Sequence, residues 1–142
     1  MTENKYELEV ENSLDNLAVI SDFVADALSH FGADNSTINR VQLVIDEAAT
    51  NVIKYAYSGG VGRLKLSLEL VGDDLVINLI DWGTPFDPNS IPPPDLEADV
   101  DNRKIGGLGI YFMRKLMDQV DYTFDPNQGN RLTMRKRLVR PV

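Results

Sequence analysis

The run Glu47-Ala48-Ala49-Thr50-Asn51-Val52-Ile53-Lys54-Tyr55-Ala56-Tyr57 closes a helical pattern and sets two polar side chains beside an apolar stripe. Val41, Val44, Ile45, Ala48 and Val52 recur at the spacing of a helix with one buried face. Ser36 reads as the cap of this helix, which runs to about Tyr57 and stops at Ser58-Gly59-Gly60. Glu47 and Asn51 are four apart and therefore share a face, with Lys54 a turn further on. A carboxylate in that place can deprotonate a hydroxyl or a water. The asparagine carbonyl is a hard oxygen donor, suited to a Mg²⁺ ion that keeps most of its waters and its phosphate ligands. Alone, the pair also fits a solvated helix face.

Strands surround this helix. Tyr6, Leu8 and Val10 alternate with charged residues, as in a half-buried first strand. Ser13 can cap a helix with Leu14, Leu17, Ala18, Val24 and Leu28 on one side, ending at Gly32. His30, the single histidine, falls in its last turn and reads as a contact to the helix's C-terminal carbonyls. In Arg63–Leu70 the leucines at 64, 66, 68 and 70 alternate with Lys65, Ser67 and Glu69. Leu75–Ile80, more continuously apolar, reads as a central strand. A third helix is expected from about Gly109 to Met117. Tyr122–Phe124 and Arg131–Val139 read as a closing hairpin.

Two further motifs carry chemistry. Asp81 ends the central strand, where a carboxylate can accept a hydrogen bond from an exocyclic amine such as that of adenine. Gly83 lets the backbone approach a flat ring. A turn-forming Asp-x-Gly is the alternative. Gly106-Gly107-Leu108-Gly109 leads into an apolar helix, so consecutive N–H groups and the helix N-terminus favour an anionic phosphate. It matches neither the dinucleotide fingerprint, since Phe112 stands at the last glycine position, nor a Walker loop, since no Gly-Lys-Ser/Thr occurs. Thr84 to Ile105, with five prolines and no periodicity, reads as a lid or binding loop. Its acidic ladder Asp95, Glu97, Asp99, Asp101 is not a calcium loop, because Val100 and Gly106 occupy the turn and twelfth positions. Arg103 and Lys104 at its end can reach terminal phosphates or simply face solvent.

Composition narrows the field. The 142 residues fit one domain over 1–142, with 43% hydrophobic and 25% charged residues. A net charge of −8 argues against a nucleic-acid surface, which must neutralise phosphates. The chain has no cysteine, which excludes disulfides, zinc thiolates and thiol nucleophiles. No signal-peptide pattern or apolar membrane-length stretch is present, so a cytoplasmic protein without membrane attachment is expected.

Taken together, the motifs resemble the GHKL ATPase superfamily of gyrase, chaperone, histidine-kinase and mismatch-repair ATP domains, over about residues 36 to 138. Glu47-x-x-x-Asn51 looks like its N box, Asp81-x-Gly83 its first glycine box and Gly107-x-Gly109 its second. Gly129-Asn130-Arg131-Leu132-Thr133 looks like the last box, whose threonine supports the adenine site. Within the superfamily the closest resemblance is to bacterial anti-sigma-factor serine/threonine kinases. It rests on Asn51–Tyr57, Asp81-Trp-Gly-Thr-Pro-Phe-Asp87 and Gly106-Gly-Leu-Gly-Ile-Tyr-Phe-Met-Arg-Lys-Leu-Met-Asp118. Tyr55 departs from it, since relatives often carry histidine there.

The resemblance implies a two-layer α/β sandwich, with helices on one face of a mixed, mainly antiparallel sheet. It implies ATP and Mg²⁺ as cofactors, a lid at about 84–105, and phosphorylation of a serine or threonine on a STAS-domain antagonist. Homodimers that sequester a sigma factor are common in such families. Glu47 is then the catalytic base and Asn51 the metal ligand. Asp81, Gly83 and Thr133 line the adenine site, while Gly107, Leu108 and Gly109, with Arg103 and Lys104, hold phosphates. A nucleotide-gated module that binds a regulator without phosphoryl transfer is the competing reading.

Overall fold

Alternation of apolar and polar residues decides which side of each strand is covered. The computed structural model describes residues 4–85 and 107–138. Strand β1 (Lys5–Glu11) leads into α1 (Asn16–His30) and α2 (Asn35–Asn51), and a π-helical turn, Val52–Ala56, extends α2. Strands β2 (Arg63–Val71) and β3 (Asp74–Asp81), helix α3 (Gly107–Leu116), and strands β4 (Gln119–Asp125) and β5 (Gly129–Arg137) follow. The sheet order is β1-β2-β3-β5-β4.

All neighbouring pairs among the described residues are antiparallel, where a mixed, mainly antiparallel sheet is expected. The reason is topological. After β3 the chain crosses through α3 to the sheet edge, and β5 returns between β3 and β4. Strands β3 and β4 therefore run in the same direction without touching.

The covered face consists of Leu64, Leu66 and Leu68 of β2, Leu75, Ile77 and Leu79 of β3, and Leu132 and Met134 of β5. Against it pack Val24 and Leu28 of α1, Val41, Val44 and Ile45 of α2, and Met113 of α3. Cutting Leu68 or Ile77, both fully buried, to alanine would cost about 2–5 kcal/mol through lost burial and the cavity left behind. The core thus lies in one layer between helices and sheet. Strand β3 is central as expected, yet it buries only alternate residues, because helices cover a single face.

Several local expectations shift. Helix α2 is capped by Asp34, whose carboxylate accepts from Thr37 N–H at 2.8 Å, and not by Ser36, which lies inside the first turn. Hydrogen bonds from Thr37, its hydroxyl first and then its N–H, hold the Asp34 carboxyl below its ordinary value. On α1 the buried stripe is Ile20, Val24, Ala27 and Leu28; Leu14 and Ala18 are exposed, since the helix begins only at Asn16. Ser13 accepts from Asp15 N–H at 3.2 Å and shapes the turn before the helix. His30 Nδ1 donates to Asp26 O at 2.7 Å, the expected contact to a carbonyl of its own helix. Among the described residues no helix is long and apolar enough to cross a membrane.

Candidate functional site

Strand register builds the end of the candidate site around Asp81. Asp81 is the last residue of β3 and pairs with Asn130 of β5, on the covered face of the sheet. It is 7% exposed, so its carboxylate needs partners. Gly83 N–H donates to Asp81 Oδ1 at 2.9 Å and Asn130 Nδ2 donates to the same oxygen at 2.8 Å. Both donors fall on Oδ1, and Oδ2 takes no part in either bond. Asn130 Nδ2 also donates to Gly83 O at 3.0 Å, tying the Asp-x-Gly turn to β5.

The same turn is clamped to the end of α2. Thr84 N–H donates to Ala56 O at 2.6 Å. Gly83 lies so close beneath Ala56 that an added Cβ would stand 2.2 Å from Ala56 O, so only glycine fits. Tyr57 completes the joint: its hydroxyl donates to Arg63 O and accepts from Trp82 N–H at 2.9 Å. Glycine at 62 leaves room for the Tyr57 ring, which any side chain would strike. The π-helical turn after Asn51 thus delivers Ala56 and Tyr57 to the strand ends. Such turns occur mostly as single irregularities within α-helices, frequently at functional sites.

Glu47 and Asn51 are both half-buried near the end of α2, bordering the buried stripe of Val44, Ile45, Ala48 and Ala49. Asn51 is the last α-helical residue, one turn before the clamp on Gly83. Helix α3 packs against α2 and starts at Gly107, two residues earlier than expected. Gly107, Leu108 and Gly109 therefore belong to its first turn, where N–H groups have no intrahelical acceptor. The structure brings the end of α2 and the Asp81–Gly83 turn together directly, and sets α3 alongside. Arg103, Lys104, Gly106 and the expected lid's acidic ladder lie outside the described residues.

Thr133 is not brought to Asp81. It pairs with Asn78 and donates to Asn78 Oδ1 at 2.7 Å, on the face of the sheet opposite to Asp81. The period of two along β5 explains this: residue 130 faces with Asp81, so 133 must face away. Asn130 occupies the place expected of a threonine. Its signal lay in the register of β5, which the expected strand Arg131–Val139 hid by starting two residues late and leaving Asn130 outside. Tyr57, read as a helix end and as part of the Asn51–Tyr57 stretch, gave no sequence signal for its link to Trp82.

Comparisons agree with this fold. A family model described as the histidine kinase-like ATPase domain matches residues 10–136. The serine-protein kinase RsbW of Bacillus cereus is 29% identical over 140 residues, covering 96% of this chain and 86% of that protein. The serine-protein kinase RsbW of Staphylococcus aureus is 29% identical over 142 residues, covering 96% and 88%. A crystal structure of the RsbU and RsbW domains of a Mycobacterium tuberculosis protein superposes with a TM-score of 0.69 at 18% identity. That match covers 99% of this chain but 34% of the other, so it speaks to the fold alone. With the family model matched over most of its length, the chain belongs to the histidine kinase-like ATPase domain family.

Proposed function

We propose that the chain is an ATP-dependent protein serine/threonine kinase that phosphorylates a STAS-domain antagonist in a partner-switching module and acts as an anti-sigma-type regulator. The observation that carries this reading is Glu47, a half-buried carboxylate one turn before Asn51 on a helix clamped to the Asp81–Gly83 turn. The names of the serine-protein kinase relatives support it.

The residues fit the cofactors. Asp81 Oδ2 is an acceptor for an exocyclic amine, and the first-turn N–H groups of α3 suit phosphate oxygens. Among the described residues no group of three carboxylate, histidine or cysteine side chains converges as a metal cage. Asn51 would supply one oxygen to Mg²⁺, with phosphate and water supplying the others. Bound Mg·ATP supplies an electrophilic terminal phosphoryl group.

The protein's part is positioning and proton handling. Glu47 orients the attacking hydroxyl of the substrate serine or threonine and takes its proton. Asn51 fixes the metal, Asp81 selects the base, and Gly107 to Gly109 hold the phosphates. Arg103 and Lys104 belong to the same phosphate group, and a sigma factor and a second copy of the chain are its further partners. A cytoplasmic location follows from those partners.

Incubation with γ-labelled Mg·ATP and a STAS-domain protein tests the reading. Label should pass from the wild type to serine or threonine and fail to pass from Glu47→Ala. ATP binding with no transfer to any STAS-domain protein encoded beside it would favour a nucleotide-gated binding module instead.

A further inference from the structure

Asn130 is 1% exposed, and its amide is oriented without ambiguity. Nδ2 faces two acceptors, Asp81 Oδ1 at 2.8 Å and Gly83 O at 3.0 Å, so the nitrogen must be the atom that points there. The other end of the amide, Oδ1, is buried with no hydrogen-bond partner, alone among the described side chains in that condition. A buried acceptor left without a donor is unfavourable. The oxygen therefore does not explain why an asparagine fits here; the nitrogen does. It reaches both anchor points of the Asp-x-Gly turn at once, from a different strand.

The consequence concerns Asp81. A carboxylate can swivel about its terminal bond, which has broad, two-fold preferences. Two donors on one oxygen stop that rotation and leave the second oxygen with a fixed direction. Gly83 N–H alone lies two residues away on a turn, and Asn130 adds a donor from the sheet. Position 130 can do this because Gly129 turns the chain with φ of 90° so close to Asp81 O that a Cβ would stand 2.6 Å from it.

We infer that Asn130 is a positioning residue for base recognition: it locks Asp81 so that Oδ2 is presented as the acceptor that selects a 6-amino purine over a 6-oxo purine. The inference rests on the nucleotide reading above.

The test is a set of dissociation constants for ATP and ITP, with the full chain, for wild type, Asn130→Leu and Asn130→Asp, each melted without nucleotide as a folding check. Wild type should prefer ATP by about tenfold or more, equally at pH 6 and pH 8. Asn130→Leu should lower that ratio at least fivefold, because the carboxylate is free to turn. Asn130→Asp sets two carboxylates within hydrogen-bond distance, which cannot both stay ionised when a proton is available. Its ATP preference should be poor at pH 8 and recover toward pH 5.5, where a shared proton restores the bond to Asp81. A purely structural role would lower the melting temperature of both variants and leave the ATP-to-ITP ratio unchanged at every pH; that result overturns the inference. If Asn130→Leu does not fold, the pH profile of Asn130→Asp decides alone. Wild type that binds both nucleotides equally also overturns the inference, whereas wild type that binds neither sinks the nucleotide reading itself.

Discussion

The two ends of the candidate site are built differently. At the base-facing end Asp81 is almost fully buried, and two donors converge on one of its oxygens. At the chemical end Glu47 and Asn51 are half-buried side chains on the last turns of a helix. The first end is held by strand register and a glycine that admits no substitute. The second is held by helix packing and by a π-helical turn that joins it to the first. Selection of a ligand needs a fixed acceptor, whereas proton transfer needs a carboxylate that substrate can still reach. The contrast predicts that damage at one end changes turnover and damage at the other changes affinity.

Glu47→Gln gives the largest expected effect. Removing the base should slow phosphoryl transfer by about 10²–10⁴-fold, with ATP affinity within about threefold of wild type. Single-turnover transfer alongside calorimetry would check this, and a large loss of ATP affinity would erase the contrast between the ends.

Gly83→Ala strikes the joint between them. A methyl group 2.2 Å from Ala56 O forces backbone apart, so a loss of about 1–3 kcal/mol or more is expected in denaturant unfolding. ATP binding should weaken in parallel, because Asp81 loses the N–H of residue 83 as the turn shifts. Unchanged stability would mean that the clamp does not join the two ends.

Asp34→Ala should be the mildest. It removes the cap of α2 at the end far from Glu47, so a small fall in melting temperature is expected, with ATP affinity unchanged. The folded Asp34 carboxyl sits below its ordinary value of 3.8, so its contribution is complete above that pH. It is lost as pH falls through the folded value. The melting difference from wild type should therefore be constant from pH 6 to 8 and shrink below about pH 4.

Much of the fold could be read from the chain. The alternating leucines of β2 and the helical spacing around Val41–Ala48 each have one physical interpretation. Asp81 at a strand end was also readable, because a polar residue closing an apolar run must meet a partner or a ligand. What escaped was long-range. Asp34 and Ser36 both suit a helix cap, and only backbone geometry separates them. The face of Thr133 depended on a register of β5 against β3 that a one-residue slip inverts. Asn130 and Tyr57 act on residues 49 and 25 positions away, and no local pattern signals such bonds.

Whether Asp81 Oδ2 is the acceptor for the base is decided by calorimetry of ATP and ITP binding to Asp81→Asn. The asparagine oxygen can keep both bonds that Asp81 Oδ1 receives, from Gly83 N–H and Asn130 Nδ2, so the fold should survive. Its amide nitrogen then replaces Oδ2 and turns an acceptor into a donor. ATP should then bind about 10- to 100-fold more weakly, the scale of a hydrogen bond to a charged group, with a smaller loss for ITP. Equal ATP affinity in a folded Asp81→Asn protein would contradict that role of Oδ2.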